Sequence, residues 1–217
     1  GKRFIEGSLE YGVLACAKHF PGHGDCEVDS HLGLPTINYD LDRIHKIEMY
    51  PFKENINVPA IMSAHILFPA YDTVPATLSK KILTNVLREE LGFEGLILTD
   101  CLEMKAIQNE FGTANGALMA VLAGADICDI SHTLEFQLKA LELLEERGMD
   151  REYIYEAMVL ALTSAYKKHN NSLTNVRVDI NRETGEIKLF SFLSFKADAI
   201  ISLTISVFSI KPFSSKV

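Results

Sequence analysis

One pattern recurs from about residue 1 to residue 145: a short apolar run closing on a polar or titratable group, followed by an amphipathic stretch. GVLACAKHF closes on Lys18 and His19, PAIMSAHI reaches His65, and GLILTD ends at Asp100. GADICDIS repeats the arrangement more weakly, without a clear polar terminus. Runs this short and this apolar predict strands covered on both faces, as in a parallel sheet flanked by helices. The segments between them supply the helices. Asp40 is placed to cap one through LDRIHKIEMYPFKENI. Ser79 can cap KKILTNVLREEL, whose Ile82, Leu83, Val86, Leu87 and Leu91 fall on one face before Gly92 stops it. Thr113–Gly124 gives a third, alanine-rich helix. Ligands of parallel sheets sit at the C-terminal ends of the strands. His19, His65 and Asp100 therefore mark the edge where a site is expected.

Four such βα units are visible, and the sequence begins inside a helix. A closed (β/α)8 barrel takes about 250 residues, so the segment is expected to be about half of one. Near residue 145 the character changes. EERGMDREYIYEAMVLALTSAYKKHNN predicts a helix with Ile154, Met158, Ala161, Leu162 and Ala165 on one stripe. NVRVDINRETGEIKLFSF then alternates apolar and polar residues about a glycine-containing turn, the pattern of a β-hairpin. The tail AIISLTISVFSI is uncharged and β-prone, but shorter than the roughly 20 residues that a membrane-spanning helix needs.

Composition excludes some classes. With 47% hydrophobic and 23% charged residues, the chain can build a packed core. Its net charge of −8 argues against nucleic-acid binding, which requires a basic face. The cysteines at 16, 26, 101 and 128 are scattered and lack CxxC spacing, which predicts free thiols or small core residues, not a zinc site or a disulfide framework.

The densest chemistry lies in KHFPGHGDCEVDSH, residues 18–31, which holds three of the chain's seven histidines. Three readings fit. His23, Asp25, Asp29 and His31 could ligate zinc or manganese, although their spacing matches no common site. The stretch could be a solvated polar loop. Alternatively, Asp29 and His31, two residues apart, could form an acid/base pair in which the carboxylate orients the imidazole and supports its protonated form. Asp100 would then supply a second carboxyl group, or cap the helix that follows it.

These residues resemble glycoside hydrolase family 3, in its bacterial β-N-acetylglucosaminidase (NagZ-like) branch. The resemblance rests on K-H-F-P-G-H-G, D-S-H and T-D-x-L-x-M together and covers about residues 1–143. It implies an α/β fold, the C-terminal half of a TIM-like (β/α)8 barrel, and a retaining exo-β-N-acetylhexosaminidase needing no cofactor or metal. Asp100 is implied as the nucleophile and His31, partnered by Asp29, as the acid/base. Lys18, His19 and His65 are implied to bind substrate. The family's first barrel strands, with an aspartate and an arginine that hold the sugar, would precede Gly1, so the chain is expected to be an incomplete fragment. Residues about 146–190 resemble instead the N-terminal region of the transcription factor NusA, most specifically in VRVDINRETGEIKLF.

The expected domains are a partial barrel over 1–145, a NusA-like helix and hairpin over 146–190, and an unassigned tail over 191–217. The expected partner is a carbohydrate, an N-acetylglucosaminide from peptidoglycan fragments, and the expected compartment is the cytoplasm, with a secreted or lipid-anchored parent as the alternative. The alternative is a binding module that contacts RNA polymerase through the NusA-like segment, with the glycosidase part inert.

Overall fold

The computed structural model describes residues 1–24, 26, 33–149, 175–181 and 187–192, together with helical positions 152, 155, 156, 159, 160 and 163. The chain divides into two compact units, residues 1–150 and 151–217.

In the first unit, α1 (Lys2–Glu10) leads to β1 (Cys16–Phe20). Asp40 caps the next helix as expected, accepting a 2.8 Å bond from the Arg43 N–H. That helix is composite: α2 (Leu41–Arg43), one π-helical stretch (Ile44–Glu48), then α3 (Tyr50–Lys53). β2 (Ala60–Ser63) and β3 (Leu96–Thr99) lie parallel to β1 in the order β1-β2-β3. Lys18 pairs with Met62, and Met62 with Leu98. The ladder then skips His19, since Phe20 is the next residue paired, with Ser63. Such a bulge re-aims the extra side chain.

The helix between β2 and β3 differs from the expected winding. Residues Lys81–Glu90 form a π-helix, and the Leu91 N–H bonds the Val86 carbonyl five residues back at 2.9 Å. Its buried face is the expected one: Ile82, Leu83 and Leu87 are fully buried and Val86 nearly so. Gly92 takes a positive φ of 67° at the end of this helix.

After β3 come α4 (Lys105–Gln108), α5 (Thr113–Ala123) and α6 (Leu134–Glu146). Gly124 closes α5 in the left-handed conformation. The fourth sheet position is shorter than GADICDIS suggests. Ile127 makes one parallel bridge to Leu98, and the Thr99 N–H bonds the Ile127 carbonyl at 2.9 Å. The Asp126 N–H bonds the Ile97 carbonyl at 2.9 Å, and its carboxylate accepts the Ile97 N–H at 2.7 Å and the Arg88 guanidinium.

Helix α6 carries a second correction. The helix expected over 145–171 does not start at Glu145, because α6 ends at Glu146 and Gly148 adopts a φ of 79°, but its described positions 152, 155, 156, 159, 160 and 163 are helical. The core lies between sheet and helices around Phe20, Ile61, Phe68, Leu83, Phe93 and Ile97. Phe20 meets Phe52 edge-on with ring centroids 5.2 Å apart.

In the second unit, β4 (Asn175–Ile180) and β5 (Ile187–Phe192) form the expected antiparallel hairpin, with Val178 buried opposite Leu189. The expected stripe of Ile154, Met158, Ala161, Leu162 and Ala165 lies outside the described residues, as does AIISLTISVFSI. No helix among the described residues is long and apolar enough to cross a membrane.

Candidate active site

Three strand ends deliver the site. At β3, Thr99 is fully buried and Asp100 follows it out of the sheet. At β1, the bulge turns His19 toward Asp100, with Nε2 3.3 Å from Asp100 Oδ2. The two side chains keep 22% and 24% of their surface exposed, so the pair sits at a mouth and not in the core. The other carboxylate oxygen, Oδ1, accepts the Cys101 N–H at 2.8 Å. The bond from His19 is the main influence lowering the Asp100 pKa. Partial burial opposes it, the Cys101 N–H adds to it, and the net value is about 2. A carboxylate with both oxygens engaged this way is ionised at any ordinary pH. Asp100 is not a helix cap: α4 begins only at Lys105, after Met104.

At β2, His65 is 2% exposed. Burial is the main cause that lowers its pKa, ahead of the opposing bond to Cys101, so the ring is neutral. Nε2 lies 2.9 Å from the Cys101 carbonyl oxygen and Nδ1 2.9 Å from Thr77 Oγ1. A carbonyl only accepts, so Nε2 carries the proton, while the Thr77 hydroxyl beside Nδ1 donates to the Ala64 carbonyl at 2.9 Å. Ser63 Oγ donates in turn to Thr77 Oγ1 at 2.9 Å. His65 thus ties β2 to the loop that presents Asp100, with both ring nitrogens engaged by protein. Ser63 and Thr77 are the members of this network that the sequence reading missed. Their signal was present as hydroxyls in otherwise apolar segments, and both are fully buried.

Lys18, His19 and His23 line a cavity of about 510 Å³ together with Glu48 and Phe52. The His19 and His23 rings stand 5.4 Å apart at a tilt of 56°. Gly22 allows the loop its close approach to the neighbouring helix, since a Cβ there would meet Glu48 Cβ at 2.6 Å. Asp25, Asp29 and His31 lie outside the described residues, so the acid/base pair and most of the four-residue metal reading do too. The four cysteines are free thiols. Burial pushes the Cys128 thiol up to about 12, with Asp126 adding to it.

Comparison with known proteins gives the chain a family. The family profile "Glycosyl hydrolase family 3 N terminal domain" matches residues 1–159, well over half of the chain. The chain belongs to glycosyl hydrolase family 3. A second profile, the NusA N-terminal domain, matches residues 135–203 and so overlaps the end of the family 3 match. Among relatives, the family 3 chain is 31% identical to a beta-hexosaminidase A of Pseudoalteromonas piscicida, over 88% of this chain and 38% of that protein. It is 36% identical to a beta-hexosaminidase of Pseudomonas aeruginosa, over 65% of this chain and 44% of that protein. Among solved structures, a family 3 beta-N-acetylglucosaminidase from Paenibacillus aligns with a TM-score of 0.72 and 38% identity, covering 84% of this chain and 37% of that one. The family 3 chain therefore spans about two-fifths of the length of the relatives it matches.

Proposed function

We propose that the chain carries the nucleophile-bearing part of a retaining exo-β-N-acetylhexosaminidase, built on the C-terminal half of a TIM-like barrel over residues 1–145. The observation that carries this reading is the ionised Asp100 carboxylate, fixed at a strand end by His19 and the Cys101 N–H. An ionised, oriented and partly exposed carboxylate is what a glycosidase nucleophile must be. The relatives named beta-hexosaminidase, and the Paenibacillus beta-N-acetylglucosaminidase, support the sugar class. Terminal β-linked N-acetylglucosamine, from peptidoglycan fragments, is the proposed substrate.

In this mechanism one Asp100 oxygen bonds the anomeric carbon while the glycosidic C–O bond breaks. The leaving oxygen keeps the electron pair and takes a proton from His31, oriented by Asp29. Water, deprotonated by the same histidine, then attacks the anomeric carbon and frees the carboxylate. Lys18 and His19 hold sugar hydroxyls. His65 acts from behind, fixing the Cys101 carbonyl and through it the nucleophile loop.

A fluorinated N-acetylglucosaminyl fluoride tests the assignment, because its leaving group needs no acid and its glycosyl-enzyme accumulates. Mass spectrometry of a digest should find the sugar on the peptide containing Asp100, and Asp100→Ala should not be labelled. A label on another residue, or no label at all, overturns the assignment.

The NusA profile match and the β4–β5 hairpin support a second reading for residues 151–217, contact with RNA polymerase. Retention of this chain by immobilised core polymerase, lost on deleting 175–192, is the outcome that reading requires.

A further inference from the structure

Beside the nucleophile loop lies a cluster that the glycosidase chemistry does not use. Cys101 and Glu103 stand on the loop between β3 and α4, and His132 on the loop that enters α6. One ligand atom from each (the thiol sulfur, a carboxylate oxygen and a ring nitrogen) all lie within 4.8 Å of one another. Around a tetrahedral zinc ion, bonds of 2.0–2.3 Å set ligand atoms roughly 3.3–3.8 Å apart. Closing the difference takes about 1 Å of side-chain movement, and His132 is exposed.

The backbone holding these residues is already tied together. The Leu102 N–H bonds the Asp129 carbonyl at 2.9 Å, and the Asp129 N–H bonds Thr99 Oγ1 at 2.9 Å. The His132 N–H bonds Glu103 Oε2 at 2.7 Å, and Cys101 Sγ lies 3.6 Å from Ser131 Oγ. Two loops far apart in sequence are thus locked side by side, with the potential ligands between them. Glu103 accepts hydrogen bonds from Thr133 and from the His132 N–H. A carboxylate offers about four lone-pair directions, and the loop donors leave room for a cation.

We propose that Cys101, Glu103 and His132 form a binding site for a borderline-soft divalent cation of the zinc class. The donor set decides the class: thiolate and imidazole favour zinc and its neighbours, and disfavour calcium and magnesium, which take oxygen ligands. Three protein ligands leave the fourth tetrahedral position to water or another small ligand. The site does not depend on the glycosidase reading.

The test uses the full chain, reduced and stripped of metal with EDTA that is then removed. Cobalt(II) titration should give one equivalent bound, with a thiolate-to-cobalt charge-transfer band that zinc(II) displaces. Cys101→Ser should remove the band. His132→Ala, at an exposed position where misfolding is not expected, should weaken binding at least about tenfold. Glu103→Gln, checked by circular dichroism, should do the same, and His19→Ala should change nothing. Three outcomes overturn the site: no charge-transfer band, a band that survives Cys101→Ser, or an affinity that falls with His19→Ala but not with His132→Ala.

Discussion

His65 Nε2 donates to the carbonyl oxygen of Cys101 across 2.9 Å, joining the end of one strand to the residue that follows Asp100 on the next. The bond makes the position of Asp100 a property of two strands instead of one loop. His65→Ala would remove two buried hydrogen bonds, leaving the Cys101 carbonyl with only the Met104 N–H and the Thr77 hydroxyl with Ser63 and the Ala64 carbonyl. A loss of about 1–3 kcal/mol in unfolding free energy is expected. His65→Gln, which keeps a donor and an acceptor at similar reach, should recover part of it. Chemical denaturation of the three proteins in EDTA checks the order.

The same residue predicts a pH dependence. Burial lowers the His65 pKa in the folded state below its ordinary 6.5. The unfolded chain therefore binds the proton more readily, so this contribution is fully present above about pH 6.5 and declines as the pH falls. His65→Gln should flatten the stability profile on the acid side of 6.5. An unchanged slope would mean that His65 is charged in the folded protein.

Asp100 behaves alike for the opposite chemical reason. Its folded pKa of about 2 lies below the ordinary 3.8, chiefly through His19. A depressed carboxyl contributes stability above its unfolded pKa and loses it as pH falls toward the folded value. The window is therefore roughly pH 4 down to pH 2, and the contribution about 2 kcal/mol. Asp100→Asn should differ most from the parent at pH 5–7 and converge with it near pH 2. A constant gap across that range would remove the His19 bond from the account. At neutral pH the same bond leaves the carboxylate ionised, as the proposed attack requires.

How much of this was legible in the sequence depends on whether the partner was a side chain. The strand ends at His19, His65 and Asp100 could be read from apolar runs stopped by titratable groups, and the caps at Asp40 and Ser79 from local chemistry. The bond from His65 to Cys101 could not be read, because its acceptor is a backbone carbonyl 36 residues away that any residue would supply. The π-winding of Lys81–Glu90 was hidden because Ile82, Leu83, Val86 and Leu87 share a face at either period. Helix α6 was missed because its apolar residues do not form one stripe. Leu134 and Leu138 are 66% and 51% exposed, whereas Ala140 and Leu144 are buried.

Two glycines in PGHG separate close packing from loop flexibility. A Cβ on Gly22 would meet Glu48 Cβ at 2.6 Å and the Glu48 carbonyl at 3.1 Å, whereas one on Gly24 would meet nothing within 4 Å. Gly22→Ala must push the loop off the Ile44–Glu48 turn, and a loss of about 1–3 kcal/mol is expected. Gly24→Ala should stay within about 0.5 kcal/mol of the parent. Thermal unfolding of the two variants distinguishes them, and equal losses would show that the loop does not rest on that turn.

The proposed division of labour between Asp100 and His31 has a kinetic signature. For a β-N-acetylglucosaminide, kcat/KM reports the step in which Asp100 bonds the anomeric carbon and the leaving oxygen departs. A poor leaving group such as an alkoxide needs a proton during that departure, and a general acid supplies about 10²–10⁴-fold. A dinitrophenolate is stable as an anion and needs none. His31→Ala should therefore lose about 10²–10⁴-fold in kcat/KM on an alkyl glycoside and far less on the dinitrophenyl one. Asp100→Ala removes the atom that makes the new bond, so it should lose both substrates alike. The Brønsted slope against leaving-group pKa measures the difference: it should steepen in His31→Ala. A slope unchanged from the parent would mean that His31 does not deliver the proton, and that another group in the KHFPGHGDCEVDSH loop must.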